Sequence, residues 1–353
     1  MGCVGWKNQL FCLLVLLSLL FHFPSSSSLS SVSPCSALLH FSYSLSVHRD
    51  ASPSFDTPRI QMCENSYPKT ASWKEDKDCC TWDGVVCDQT TRHVIGLDLS
   101  CSWLYGAIHS NSTLFFLRHL TSLNLAGNDF SRSLISSQFG NFKSLTHLNL
   151  SNSMFSGKIP YEISHLSLLL SLDLSYNDWL VIQTPVWKNL TQLRELLLDF
   201  SDMSSIRPNS LMNLSSSFTT LSLNYCNLQG KLENSILCLP STQTLYLGFN
   251  LNLEGSLPKS NWSSNSLKFL ELSSTSFSGE LLDSISNLKS LKHLNLDYCN
   301  LTGLIPTSLE NLTKLTILDL SYNSFSGEIL LSLLNSNCFW YMDELTLFFF
   351  NYW

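Results

Sequence analysis

The amino-acid sequence predicts an α/β solenoid: a curved superhelix of short coils with a parallel β-sheet along its concave face. Three observations carry that prediction. An apolar phrase, L-x-x-L-x-L-x-x-N, recurs with starts at Leu120, Leu145, Leu169, Leu193, Phe218, Thr242, Leu267, Leu291 and Leu315, always 24 or 25 residues apart. A weaker copy begins at Val94, which makes about ten units over residues 93–338. Within each copy the apolar residues alternate with period two, the mark of a strand with one buried face.

Each part of the coil follows from its residues. Strands this short do not survive alone, and one per coil stacked in parallel satisfies their hydrogen bonds. At about 4.8 Å per strand, ten of them make a wall roughly 43 Å long. The leucines stack behind it as a spine, and truncating one such as Leu148 or Leu294 should cost roughly 2–5 kcal/mol. Three residues past the second leucine stand Asn128, Asn177, Asn250 and Asn323, with Ser153, Ser201, Thr275, Cys226 and Cys299 in that place elsewhere. A buried amide there bonds the backbone of adjacent coils, so these positions read as structural. The turns that follow carry Gly157 with Pro160, or Gly303 with Pro306, where a freely turning residue or one without a donor fits.

Composition excludes several classes. Of 353 residues 13% are charged and 44% apolar, with a net charge of -7, so no nucleic-acid partner is expected. There is no G-x-S-x-G elbow, H-E-x-x-H helix, glycine-rich phosphate loop or kinase catalytic phrase, so neither an enzyme nor a cofactor is expected. Lys7, an apolar run from Leu10 to Phe23 and a Ser-rich stretch have the layout of a secretory signal peptide over residues 1–30. That run is shorter than the ~20 residues that cross a bilayer, and no membrane span is expected beyond it. The remaining cysteines then enter an oxidising compartment where disulfides form. A zinc site is not expected, since no C-x-x-C spacing occurs. Residues 339–353 match neither a repeat nor a cap and read as an atypical tail, the sign of a truncated or misjoined coding segment.

The whole phrase, extended by F/L-x-G and I-P, resembles the plant-specific class of extracellular leucine-rich repeat. ALLHF at 37–41, SWKEDKDCCTWDGVVCD at 72–88 and HVIGLDLS at 93–100 resemble the N-terminal cap of plant receptor-like proteins that detect pathogens. The resemblance implies a disulfide cap over residues 31–92, with bridges among Cys35, Cys79, Cys80 and Cys87. Adjacent Cys79 and Cys80 are poorly placed to bond each other, so each needs its own partner. The expected pairs are Cys35–Cys79 and Cys80–Cys87, with Cys63 and Cys101 left over for a third. It also implies a cell-surface or extracellular location, a peptide or protein ligand, and recruitment of co-receptor kinases. Full-length members continue through more repeats to a membrane helix. Plant inhibitors of microbial polygalacturonase share the length and repeat number and remain the alternative, together with a nonfunctional fragment of a receptor gene.

Function should sit on the concave wall. One outward column contains Asn124, Asn149, Asp173, Leu197, Ser222, Tyr246, Glu271, Asn295 and Asp319. A second contains Tyr176, Phe200, Tyr225, Phe249, Tyr298 and Tyr322, interrupted by Ser274. Rigid rings beside carboxylates suit a peptide or protein ligand. The candidate ligand-binding residues are therefore Asp173, Tyr176, Asp199, Phe200, Tyr225, Tyr246, Phe249, Glu271, Asp297, Tyr298, Asp319 and Tyr322. The competing view is that Asp in LDL and Tyr in SYN are habitual residues of the repeat. His147 and His293, in equivalent positions, are candidate pH sensors. Asn111, Asn189, Asn213, Asn261, Asn300 and Asn311 begin sequons and are candidate glycosylation sites. Asn149 also begins one but would place a glycan on the wall.

Overall fold

A computed structural model of the chain describes residues 33–52, 63–214, 217–259, 262, 266–326 and 339–341. The signal-peptide segment, Asn261 and the side chain of Asn213 lie outside that description. The solenoid is borne out. A single sheet of 12 strands lines one face. Val85–Cys87 opens it antiparallel to Val94–Asp98, and every later strand pairs in parallel with the one before. Leu97 lies opposite Leu123, and the same leucine continues rung by rung through Leu148, Leu172, Leu196, Leu221, Leu245, Leu270, Leu294 and Leu318. A constant phrase permits no slip, because a one-residue shift would turn these buried leucines to solvent.

Two features go beyond the expectation. Phe339–Tyr341, in the stretch read as an atypical tail, pairs in parallel with Ile317–Asp319 and extends the sheet. On the opposite side, most coils return through 3-10 turns such as Tyr161–His165, Val186–Asn189 and Thr307–Asn311, and one through a short α-helix at Asn234–Leu237. A coil of two dozen residues has no length for a long helix, and short 3-10 turns suffice to carry the chain back. Between strand and turn a second sheet forms from Gln229–Lys231, Asn252–Gly255, Ser276–Glu280, Asn300–Leu304 and Ser324–Ser326. Its anchors, Leu253, Phe277 and Leu301, reach the core from the F/L-x-G phrase.

The asparagines link successive coils. Asn177 is 1% exposed; its Nδ2 donates to the carbonyls of Leu150 and Leu174 at 2.9 Å each. Its Oδ1 accepts from the backbone N–H of Ser153 at 3.2 Å and Phe155 at 2.9 Å. Asn128 and Asn250 repeat the pattern. Where Ser153 or Cys226 replaces the amide, its Oγ or Sγ still donates to the previous coil, to Leu125 or Leu198. The missing acceptor is then supplied by the residue's own carbonyl, which takes the N–H of Phe130 at 3.0 Å or of Met203 at 2.8 Å. Burial pushes the thiol of Cys226 upward and that of Cys299 up to about 11, so both stay protonated donors.

The cap closes the first coil. Helix Pro34–Tyr43 starts at Ser33, whose Oγ accepts from the N–H of Ser36, with Pro34 where no donor is missed. Ala37, Leu38 and Phe41 cover the leucine spine, and Thr113 Oγ1 donates to the carbonyl of Ala37 at 2.7 Å. Trp73 and Trp82 stack at 5.2 Å beneath it. The disulfides are Cys35–Cys79, Cys80–Cys87 and Cys63–Cys101, the pairs expected. Among the described residues no helix is long and apolar enough to cross a membrane.

Candidate functional site

The residue between the strand leucines faces off the concave wall, and in most coils its side chain serves its own turn. Asp173 accepts from the N–H of Ser175 at 3.0 Å and its Oγ at 2.6 Å, and Asp319 is held likewise by Ser321. Asn124, Asn149 and Asn295 accept from the N–H two residues on. A short acceptor thus caps the loop that leaves most of the strands. This accounts for the Asp and Asn of the phrase without a ligand. The sequon residue Asn149 is half-buried in this role, whereas Asn111, Asn189, Asn300 and Asn311 are exposed.

Glu271 accepts from Ser273 Oγ at 3.2 Å, while Asp199 and Asp297 lie just past the second leucine. Asp199 is 7% exposed; Ser222 Oγ donates to both its oxygens, at 2.8 and 2.7 Å, and the N–H of Asn224 donates at 2.6 Å. Burial pushes its pKa up to about 6, with the charge of Asp173 adding to the rise. Burial also raises Glu271 and Asp297, with Asp199, Asp297 and Asp319 adding like charge. Tyr246 is half-buried between Asp199 and Glu271, and its phenol is raised by burial first and those charges second. Among the described residues the salt bridges are Lys69–Asp98 and Arg92–Asp78, both at the cap. Asp173, Asp199, Glu271, Asp297 and Asp319 therefore form, among the described residues, an acidic strip with no salt bridge to a cation. Of the two histidines, His147 is exposed, its Nδ1 2.8 Å from Thr146 Oγ1. His293 is half-buried and lowered by burial, so the two are not equivalent in surroundings.

The aromatic column is assembled as one structure. Tyr176, Phe200, Tyr225, Phe249, Tyr298 and Tyr322 all hold positive φ, between 48 and 63°, at the point where the chain turns away from the sheet. That shared conformation costs each non-glycine residue strain, and stacking against the next coil offsets it. Tyr176 stacks on Phe200 at 5.1 Å, Phe200 on Tyr225 at 4.5 Å and Tyr225 on Phe249 at 4.1 Å. Tyr298 stacks on Tyr322 at 3.9 Å. Nearer the cap the same column holds Cys101, Gly127 and Asn152. Gly127 is required there: a Cβ would stand 2.6 Å from Cys63 Sγ and 2.8 Å from Cys101 Sγ.

Eleven of the twelve candidates thus fall into two adjoining rows, a carboxylate strip and a ring ladder, and Tyr246 stands among the carboxylates. Sequence reasoning missed a groove beside them. It has a volume of about 550 Å³ and is lined by Tyr225, Phe249, Leu251, Asp202, Gln229 and Asn252 among others. Its floor is the junction of ladder and second sheet, and periodicity alone gives no sign of a second sheet.

This architecture defines a leucine-rich-repeat protein. The leucine-rich-repeat family description matches residues 144–166, 266–288 and 290–312, and a second of the same kind matches 116–131 and 311–334. Receptor-like protein 6 of Arabidopsis thaliana is 44% identical over 250 residues, 68% of this chain and 25% of that protein. Receptor-like protein 9DC1 of Solanum pimpinellifolium is 44% identical over 309 residues, 84% of this chain and 34% of that protein. Among solved structures, the ectodomain of the Arabidopsis receptor kinase HAESA, in complex with an IDA peptide hormone, is similar with a TM-score of 0.63 and 29% identity, covering 82% of this chain and 49% of that one. The chain belongs to the plant leucine-rich-repeat receptor-like proteins, and it spans about a quarter to a third of the length of the curated relatives it matches.

Proposed function

We propose that this chain is the ligand-recognising part of an extracellular receptor-like protein, binding a peptide or protein on its concave wall in plant immune recognition. The observation that carries the reading is the acidic strip, with no salt bridge to a cation among the described residues, beside a partly exposed ring ladder, both fixed on a rigid sheet. Such a surface is preorganised, so little ordering cost falls on the receptor when a ligand docks. The peptide complex of the HAESA ectodomain supports the same mode of use for this solenoid. Signalling then requires a partner kinase recruited at the cell surface. The test is to express the tagged chain in plant tissue, recover it from extracellular fluid, and identify bound peptides by mass spectrometry and bound kinases by immunoblot. Enrichment of a peptide and a kinase over a tagged unrelated repeat protein is expected. Recovery with neither would overturn the proposal.

A further inference from the structure

The ring ladder lacks one rung. At Ser274 the backbone keeps the form of its neighbours: φ is 52°, Phe249 N–H donates to Ser273 at 2.7 Å, and Ser274 N–H donates to Asp297 at 2.9 Å. Only the ring is missing. Phe249 has Tyr225 against one face and Tyr298 has Tyr322 against one face, and their other faces look across Ser274. Two strand spacings separate them, roughly 9–10 Å. A flat group at the midpoint would lie about half that distance from each ring, close to the 3.9–4.5 Å between the closer stacked rungs. Phe249 is 36% and Tyr298 53% exposed, so the slot opens to solvent.

Charge selects the occupant. Glu271 belongs to the same coil as Ser274, and Asp297 immediately precedes Tyr298. The Oδ1 of Asp297 is buried with no hydrogen-bond partner, and Asp319 adds a further negative charge. The cation beside the strand of that coil, Lys268, is bonded to Gln243 Oε1 at 2.7 Å, Lys289 follows the 3-10 turn Asp283–Asn287, and His293 is disfavoured as a cation by its burial. On this solenoid a guanidinium already lies over a ring, Arg132 above Trp179 at 4.5 Å. The groove beside Phe249 gives room for the chain on one side of an inserted residue.

We propose that the gap at Ser274 is a socket for an arginine side chain of the peptide ligand. Its flat guanidinium fills the missing rung between Phe249 and Tyr298, with Glu271 and Asp297 as counter-charges. Arginine fits where lysine does not because a planar cation stacks on both ring faces and presents several donors at once. The inference rests on the receptor reading above, as it names what that face selects.

The test uses the full secreted chain and three synthetic probes, acetyl-Gly-Arg-Gly-amide and its lysine and citrulline counterparts, titrated by calorimetry or NMR. The arginine probe should bind about tenfold more tightly than either counterpart. Ser274→Tyr, which restores the ring that the neighbouring coils carry, should weaken it about tenfold without loss of folding, and Asp297→Asn should narrow the gap between arginine and citrulline. No binding of the arginine probe, equal binding of all three, or binding unchanged by Ser274→Tyr would overturn the socket. Should the wild-type chain still capture an extracellular peptide that Ser274→Tyr captures equally, the socket fails and the receptor reading stands. Capture of no peptide by either removes both.

Discussion

Replacing Asn177 by alanine tests whether the asparagine ladder holds the coils together. The side chain makes four hydrogen bonds of 2.9, 2.9, 3.2 and 2.9 Å to main-chain groups of two coils, and its Nδ2 reaches a fifth group, the Ser175 carbonyl, at a longer 3.3 Å. At a net value of about 1 kcal/mol per bond, Asn177→Ala should cost about 4 kcal/mol. Asn177→Ser should cost about half as much, because a hydroxyl keeps one donor and the coil at Ser153 shows the chain's own carbonyl taking over an N–H. Asn177→Asp should be at least as damaging as alanine at pH 7. It keeps the acceptors but sets a buried charge against the carbonyls of Leu150 and Leu174. Urea unfolding, followed by tryptophan fluorescence and by circular dichroism, measures all three; coincident transitions license the comparison. A cost below about 1 kcal/mol for alanine, or an aspartate milder than serine, would refute the assignment of these bonds.

Asp199 ties stability to pH. Its carboxyl is raised from 3.8 to about 6 in the folded chain, so the folded state holds the proton more tightly than the unfolded one. Its contribution is therefore fullest below the lower value and is lost as the pH rises toward the upper. The loss amounts to about 3 kcal/mol. Asp199→Asn, which keeps acceptors for Ser222 and Asn224, should stabilise the protein at pH 7 and flatten its stability between pH 4 and 6; an unchanged profile in urea titrations would count against the burial of that charge. Gly127→Ala should destabilise by about 1–3 kcal/mol, since a Cβ strikes the sulfurs of Cys63 and Cys101 in a backbone with φ 67°. Removing both of those cysteines should cost about 2–4 kcal/mol and relieve the clash, so Gly127→Ala in that background should cost only the roughly 1 kcal/mol of a side chain at positive φ. Glycopeptide mapping of the secreted chain should find glycans on Asn189 and Asn311, both exposed at the ends of 3-10 turns, and none on half-buried Asn149.

Period and phase carried most of the fold. A strict step of 24 or 25 residues leaves one way to stack the coils, and the register of Leu97 through Leu318 follows from it. The disulfides were legible because adjacent cysteines need separate partners and the cap phrase supplied them. The second sheet was not. It depends on where the chain turns after the strand, and that turn is set by positive φ at positions held by Tyr, Phe, Ser or Asn alike, residues whose type does not announce the conformation. The same turn explains what the sequence left ambiguous about the candidate site. Tyr in SYN and Asp in LDL are habitual because each stabilises its own coil, the ring by stacking on the next and the carboxylate by capping its loop. Specificity then lies where the habit breaks. Asp199 and Asp297 stand where other coils carry small or neutral residues, Glu271 is longer than the Asp or Asn usual at its place, and Ser274 stands where a ring belongs. Among the described residues, these departures leave carboxylates without a salt bridge and a stack without a member. A repeat protein can change such positions with little harm to the coils, since the leucine spine and the asparagine ladder hold the strands regardless. The exceptions to the phrase, rather than the phrase, are where a ligand's chemistry should be written.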